Sequence, residues 1–328
     1  MLELQSLVGI LPHKHPTPAN STHSEVTLSG TIYKLLPTAD IIDPMSSPPS
    51  SLPQGLPPEL LHRIVADIAG DNETLKALSL TSRLFLPAVR QRLFAHLILQ
   101  NKAPLGNRKT PGQKLLELLQ SSPSIAGYIT VLTFSDAVPN TAWLANDVAL
   151  VALVDKLQLD LLKTLVFNTK AMGEPVPEVK RSLGTLCMGA TNVEQLVLSY
   201  GPLDLLVQCR SQALKTVSLV SPITNEEYER PELLPPPQVN RSLQLLTLFH
   251  ESRLKAVVDC ILDERNGLEL GGVQVVHAVA ARQQDYGHIL RALRKCTALE
   301  AFTFGLWHDG ELGGCPLRPQ FYRVLISG

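Results

Sequence analysis

Cysteine and histidine are the side chains that would serve a protein of this kind as nucleophile, general base or metal ligand, so their spacing is the first test for chemistry. The cysteines, Cys187, Cys209, Cys260, Cys296 and Cys315, are widely scattered, with no CxxC pair and no Cys/His metal spacing. An odd number of thiols so far apart reads as reduced, mostly buried cysteines of the cytosol or nucleus, not as a disulfide framework or a catalytic thiol. His13 and His15 sit in a polar tail and read as solvated residues. His62, His96, His250, His277, His288 and His308 fall at no ligand spacing and read as single core or surface residues. No nucleophile elbow, metalloprotease helix, paired-carboxylate pocket or kinase signature is present. The chain is therefore expected to bind and not to catalyse, with no cofactor; a hydrolase or transferase is the least supported class.

The elements that would present a binding surface must come from the rest of the composition. Basic residues number 29 and acidic residues 30, which provides no electrostatic footprint for nucleic acid or an anionic membrane. No run of about 18 apolar residues occurs, so no membrane span is expected. The opening "MLELQSLVGILP" is apolar but lacks the basic start and small-residue cleavage site of a secretory signal. Hydrophobic residues make up 45% and aromatics only 5%, so aliphatic packing must carry the core, as in stacked repeats.

Ten of the 25 prolines fall within the first 58 residues. Residues 1–52 are expected to be a disordered Pro/Ser-rich tail, although "SEVTLSGTIYKLL" has the alternation of a short strand without an evident partner. Met45 stands where an alternative start would lie. Order begins at "LPPELLHRIVADIAG". Pro57 and Pro58 suit a first helical turn, Leu60, Leu61, Ile64, Val65 and Ile68 share one broad face, and Gly70 suits a C-terminal stop. Asp71 or Asn72 is expected to cap a second helix, and "LFLPAVRQRLF" opens a third with Pro87 in its first turn. Three short helices bury too little to stand alone and need a partner or the rest of the chain.

Residues 56–98, "LPPELLHRIVADI" through "TLKALSLTSRLFLPAVRQRLF", resemble an F-box, the module that docks on a Skp-type adaptor of cullin-based ubiquitin ligases. The following "KLLELLQSSPSIAGYITVLTF" resembles the stretch after the F-box in many basidiomycete fungal proteins. Phe85 and Thr81 stand where the family often carries Trp and Cys or Val. The resemblance implies an F-box-like domain at 53–100 with an adaptor-facing surface of Leu56, Pro57, Leu60, Ile64, Leu80 and Phe85. An ordinary helical hairpin at a domain edge is the competing reading.

Beyond a helical linker at 101–127, the pattern L-x-x-L-x-L recurs with aliphatic and aromatic substitutions. Its starts are Ile129, Leu162, Val193, Leu214, Leu243, Val273 and Leu299, at steps of 33, 31, 21, 29, 30 and 26 residues. Helical stretches at 147–158, 178–190, 253–265 and 285–296 lie between. The spacing centres near the leucine-rich-repeat range of roughly 20–29 residues. The pattern resembles an irregular leucine-rich-repeat solenoid over 128–328, α/β in class, with parallel strands inside and helices outside. A doubly wound sheet competes, but no phosphate-binding glycine turn follows any strand. Between Leu219 and Leu243, a Glu- and Pro-rich stretch predicts a long loop or extended crossing.

The resemblance implies a substrate-receptor subunit of a Skp–cullin–F-box ubiquitin ligase, cytoplasmic or nuclear, which binds adaptor at one end and a target protein on the repeats. The alternative is a repeat-type interaction protein whose F-box-like unit binds no adaptor. On the repeats, the fifth and seventh positions are expected to face the target: Thr133, Ser135, Val166, Asn168, Val197, Ser199, Ser218, Val220, Thr247, Phe249, His277, Val279, Thr303 and Gly305. Larger side chains gather at the strand ends, at Tyr200, Phe249, His250, Trp307 and His308. Tyr200, Phe249 and Trp307 are the expected target contacts, flanked by the acidic stretch 226–232.

Overall fold

A computed structural model describes residues 26–27, 57–68, 71–101, 109–136, 143–169, 175–224, 241–250, 252–306 and 320–325. Leu56, Gly70, Cys315, Trp307, His308, most of the tail and the acidic stretch lie outside the described residues.

Three helices precede the main run of strands: α1 (Pro58–Asp67), α2 (Asn72–Thr81) and α3 (Leu86–Phe94). Pro58 starts α1 where no amide proton is needed, and Asp71, not Asn72, caps α2 by accepting the amides of Glu73 and Thr74. Val65, Leu75, Ala88 and Val89 form a small core, with Ile68, Leu78, Phe85 and Leu93 packed around it.

The remainder alternates strand and helix. The order is β1 (His96–Asn101), α4 (Pro111–Ser121), β2 (Val131–Asp136), α5 (Ala149–Val154), β3 (Thr164–Asn168), α6 (Pro177–Gly189) and β4 (Gln195–Ser199). It continues with α7 (Asp204–Gln208), β5 (Thr216–Val220), β6 (Leu245–His250), α8 (Leu254–Leu262), β7 (Val275–Ala280), α9 (Asp285–Leu293), β8 (Ala301–Leu306) and β9 (Gln320–Leu325).

Among the described residues, β1 to β8 lie in sequence order in one mostly parallel sheet, each strand beside the next. This α/β arrangement, with no reversal of strand order among the described strands, is compatible with a solenoid and differs from the doubly wound order. β9 closes one edge antiparallel to β8. At the other edge Val26–Thr27 pairs parallel with Leu97 and Ile98, so part of the tail expected to be partnerless has a partner.

The register explains the repeat. Leu97, Leu132, Leu165, Leu196, Val217, Leu246, Val276 and Phe302 stand side by side, as do Leu99, Phe134, Phe167, Leu198, Leu219, Leu248, Ala278 and Phe304. Because side chains alternate across a strand, both rows face the same way, toward the helices. They merge into one continuous core with Leu115, Leu119, Leu183, Leu186, Val257 and Ile289 of the helices. Phe134 and Phe167 stack within it at 5.1 Å. β1 was not anticipated as a strand. It carries the same signature, with Phe94 packed on the core ahead of Leu97 and Leu99.

Candidate functional site

The helical unit divides its apolar residues between two duties. Leu61 and Val65 are buried in the unit, whereas Leu60 is 45% exposed, Ile64 36%, Leu80 87% and Leu84 58%. One turn of α1 separates Leu60 from Ile64, so they share a face, and Leu61 and Val65 form the adjoining inward face. Pro57 is exposed ahead of them. Phe85 differs from the rest of the expected set: it is half-buried and packs on the unit's own core. Leu84, one residue earlier, is the exposed apolar side chain at that turn. The F-box resemblance points to the aromatic Phe85 and not to this neighbour.

The second expected surface is the sheet face turned away from the helices. Register places Thr133, Val166, Val197, Ser218, Thr247, His277 and Thr303 in one row across it, and Ser135, Asn168, Ser199, Val220, Phe249, Val279 and Gly305 in a second. Neither row carries a carboxylate, lysine or arginine. The middle of the face is closed: Val197, Ser199 and Ser218 are buried, and Phe249 is only 6% exposed. The Phe249 ring therefore adds little surface to a contact, contrary to expectation. Tyr200 remains half-exposed at the strand ends, and Trp307 is outside the described residues.

The strand ends themselves are unusual. Tyr200 and Ser221, which directly follow β4 and β5, have φ of 58° and 44°. Left-handed backbone costs a residue with a Cβ roughly 1–2 kcal/mol, so the surroundings must hold it there. The holding bonds run from the Tyr200 amide to the Val220 carbonyl at 2.9 Å and from the Ser221 amide to the Phe249 carbonyl at 2.7 Å. The sheet thus continues one residue beyond each strand before the chain turns. The turn after β5 bridges back to Pro202 through Ile223, which is 40% exposed.

His250 is bonded to this rim. Its Nδ1 accepts the amides of Ser252 at 3.1 Å and Arg253 at 2.9 Å, which places the ring proton on Nε2, 3.1 Å from the Pro222 carbonyl it donates to. Burial holds this imidazole below its ordinary pKa.

No family model, curated protein or solved structure matches the chain.

The described cysteines, first among the groups considered for chemistry, are placed away from solvent, whereas His62 is exposed. Cys187, Cys209, Cys260 and Cys296 are buried and joined in no disulfide among the described residues. Burial raises the Cys187 and Cys209 thiols and pushes Cys296 up to about 11, so at neutral pH they hold their protons. Among the described residues no cluster of His, Cys, Asp and Glu is arranged to hold a metal ion, and no helix is long and apolar enough to cross a membrane.

Proposed function

We propose that this protein is a substrate-receptor subunit of a Skp–cullin–F-box ubiquitin ligase, cytoplasmic or nuclear, with a helical adaptor-docking unit ahead of an irregular leucine-rich-repeat surface. The observation that carries the reading is the set Leu60, Ile64, Leu80 and Leu84, exposed on a unit whose own core already has Leu61, Val65 and Leu75. A large apolar side chain is worth roughly 1.5–3 kcal/mol when fully buried, so this set is suited to a protein partner. The L-x-x-L-x-L register and the in-order parallel strands support the repeat half of the reading. The two strand rows of the outer face carry no Arg or Lys, which fits a target held by shape and not by phosphate. The ligase chemistry would come from the assembly; this subunit's part is to raise the target's effective concentration.

The test is co-purification with a Skp-type adaptor, using the intact chain and its Ile64→Asp variant. Adaptor retained by the first and lost by the second supports the proposal. An intact chain that retains none points to the second reading, an interaction protein without adaptor, which the inward packing of Phe85 favours.

A further inference from the structure

The turn after β5 and the start of α8 are joined by two side chains. His250 donates from Nε2 to the Pro222 carbonyl while its Nδ1 accepts the Ser252 and Arg253 amides. The Arg253 guanidinium donates to the Thr224 carbonyl in the same turn. The strained Ser221 opens that turn, and its amide is bonded to Phe249, the residue before the histidine. A neutral imidazole of one tautomer satisfies every one of the His250 bonds. An imidazolium cannot, because a proton on Nδ1 would face two backbone N–H donors.

We propose that His250 is an acid-released latch: its protonation frees the β5–α8 corner and loosens the rim of the outer face. The inference deepens the proposed function by supplying a regulation of the target surface, and it rests on that reading only for its consequence, not for its geometry. The charged groups that bear on the ring are Arg253 at the start of α8, and Asp285 and Arg282 from α9 and the turn before it. Asp285 favours the imidazolium and the two arginines oppose it. Asp285 is itself engaged, accepting the Arg282 amide at 2.8 Å, and burial adds to the resistance. The latch therefore stays shut near neutrality and opens on acidification.

The experiment measures hydrogen exchange in the full chain at about pH 7.5 and about pH 5.5, corrected for intrinsic exchange rates. The Ser252 and Arg253 amides are expected to lose about tenfold in protection at the lower pH, while amides of β2 and β3 keep theirs. His250→Asn retains an acceptor oxygen near the Nδ1 position without a titrating proton, and its two amides are expected to show no such loss. Unchanged protection of these amides in the natural chain, or a loss that persists in His250→Asn, overturns the proposal. Neither readout involves adaptor or target, so failure here is distinct from failure of the ligase reading.

Discussion

The carboxylate of Asp147 accepts the amide of Gly112 at 2.9 Å from 35 residues further along the chain. The same group accepts the Thr110 hydroxyl at 2.8 Å and the Ala149 amide at 3.2 Å. One buried carboxylate thus serves the first turns of both α4 and α5, which ties neighbouring strand–helix units together. Gly112 is required by proximity: a Cβ there would lie 2.4 Å from Asp147 Oδ2. Gly112→Ala is predicted to destabilise the chain by about 1–3 kcal/mol, and Asp147→Ala by about 2–4 kcal/mol, since three donors lose their acceptor. Asp147→Asn should cost less, because burial already penalises the charge and lifts this carboxyl above its ordinary pKa. Urea unfolding followed by circular dichroism measures all three; equal midpoints for Asp147→Ala and the natural chain would contradict the capping role.

Arg241 supplies a second tie, and an unusual one. It is 2% exposed, and its guanidinium donates to the carbonyls of Leu206 at 3.3 Å and Cys209 at 2.5 Å and to that of Asn266. These carbonyls close α7 and the short turn after α8, so the cation is balanced by two helical C-termini instead of a carboxylate. Arg241→Ala is predicted to lose about 3–5 kcal/mol, because three buried carbonyls lose their donor. Arg241→Lys should recover only part of this, since an ammonium cannot reach three divergent acceptors with a planar fork. A thermal melt in which Lys matches Arg would show that charge alone matters.

The architecture was legible where the physics is local and periodic. Ile129, Leu162, Val193, Leu214, Leu243 and Val273 each precede a strand as a buried anchor, and the two following anchors in each unit line the core. A period of two within the strand and a regular return to the sheet leave one register that buries them all. Helices at 149–154, 254–262 and 285–293 likewise lie inside stretches expected to be helical, and the helix at 177–189 matches the expected 178–190 to within one residue. β1 was hidden because the helical resemblance ran through "RLFAHLIL", although Phe94, Leu97 and Leu99 carry the repeat spacing. The burial of Phe249 was not legible, since it depends on tertiary packing and not on the strand pattern. The roles of Asp147, Arg241 and His250 depend on partners 20 to 40 residues distant in sequence, which no local pattern encodes.

Global stability should respond to acid through His250. Its imidazole sits below the ordinary value of 6.5 in the folded chain, with burial the main cause and the nearby Arg253 adding to it. A lowered value means that the unfolded chain binds the proton more readily. The histidine's contribution is therefore intact above about pH 6.5 and is lost as pH falls through 6.5 toward the folded value. Melting temperature is predicted to be flat from about pH 7 to 8 and to decline from about pH 6.5 to 5.5. His250→Asn should flatten that decline. A decline of the same size in both chains would assign it to other groups.

Two adjacent turns of α1 distinguish docking from folding. Ile64 is 36% exposed and Leu61 only 9%. A carboxylate at 64 meets water in the free protein, so Ile64→Asp should shift stability by less than about 1 kcal/mol. At 61 it would be buried unpaired against the unit's core, at a cost of several kcal/mol, and would unfold the three helices. Both changes are predicted to abolish adaptor capture, but only Leu61→Asp should reduce the helical signal. Leu80→Asp, at 87% exposure, serves as the second surface change and should behave as Ile64→Asp does. If Ile64→Asp and Leu80→Asp hold adaptor as the natural chain does, the exposed leucines face something other than a Skp-type partner.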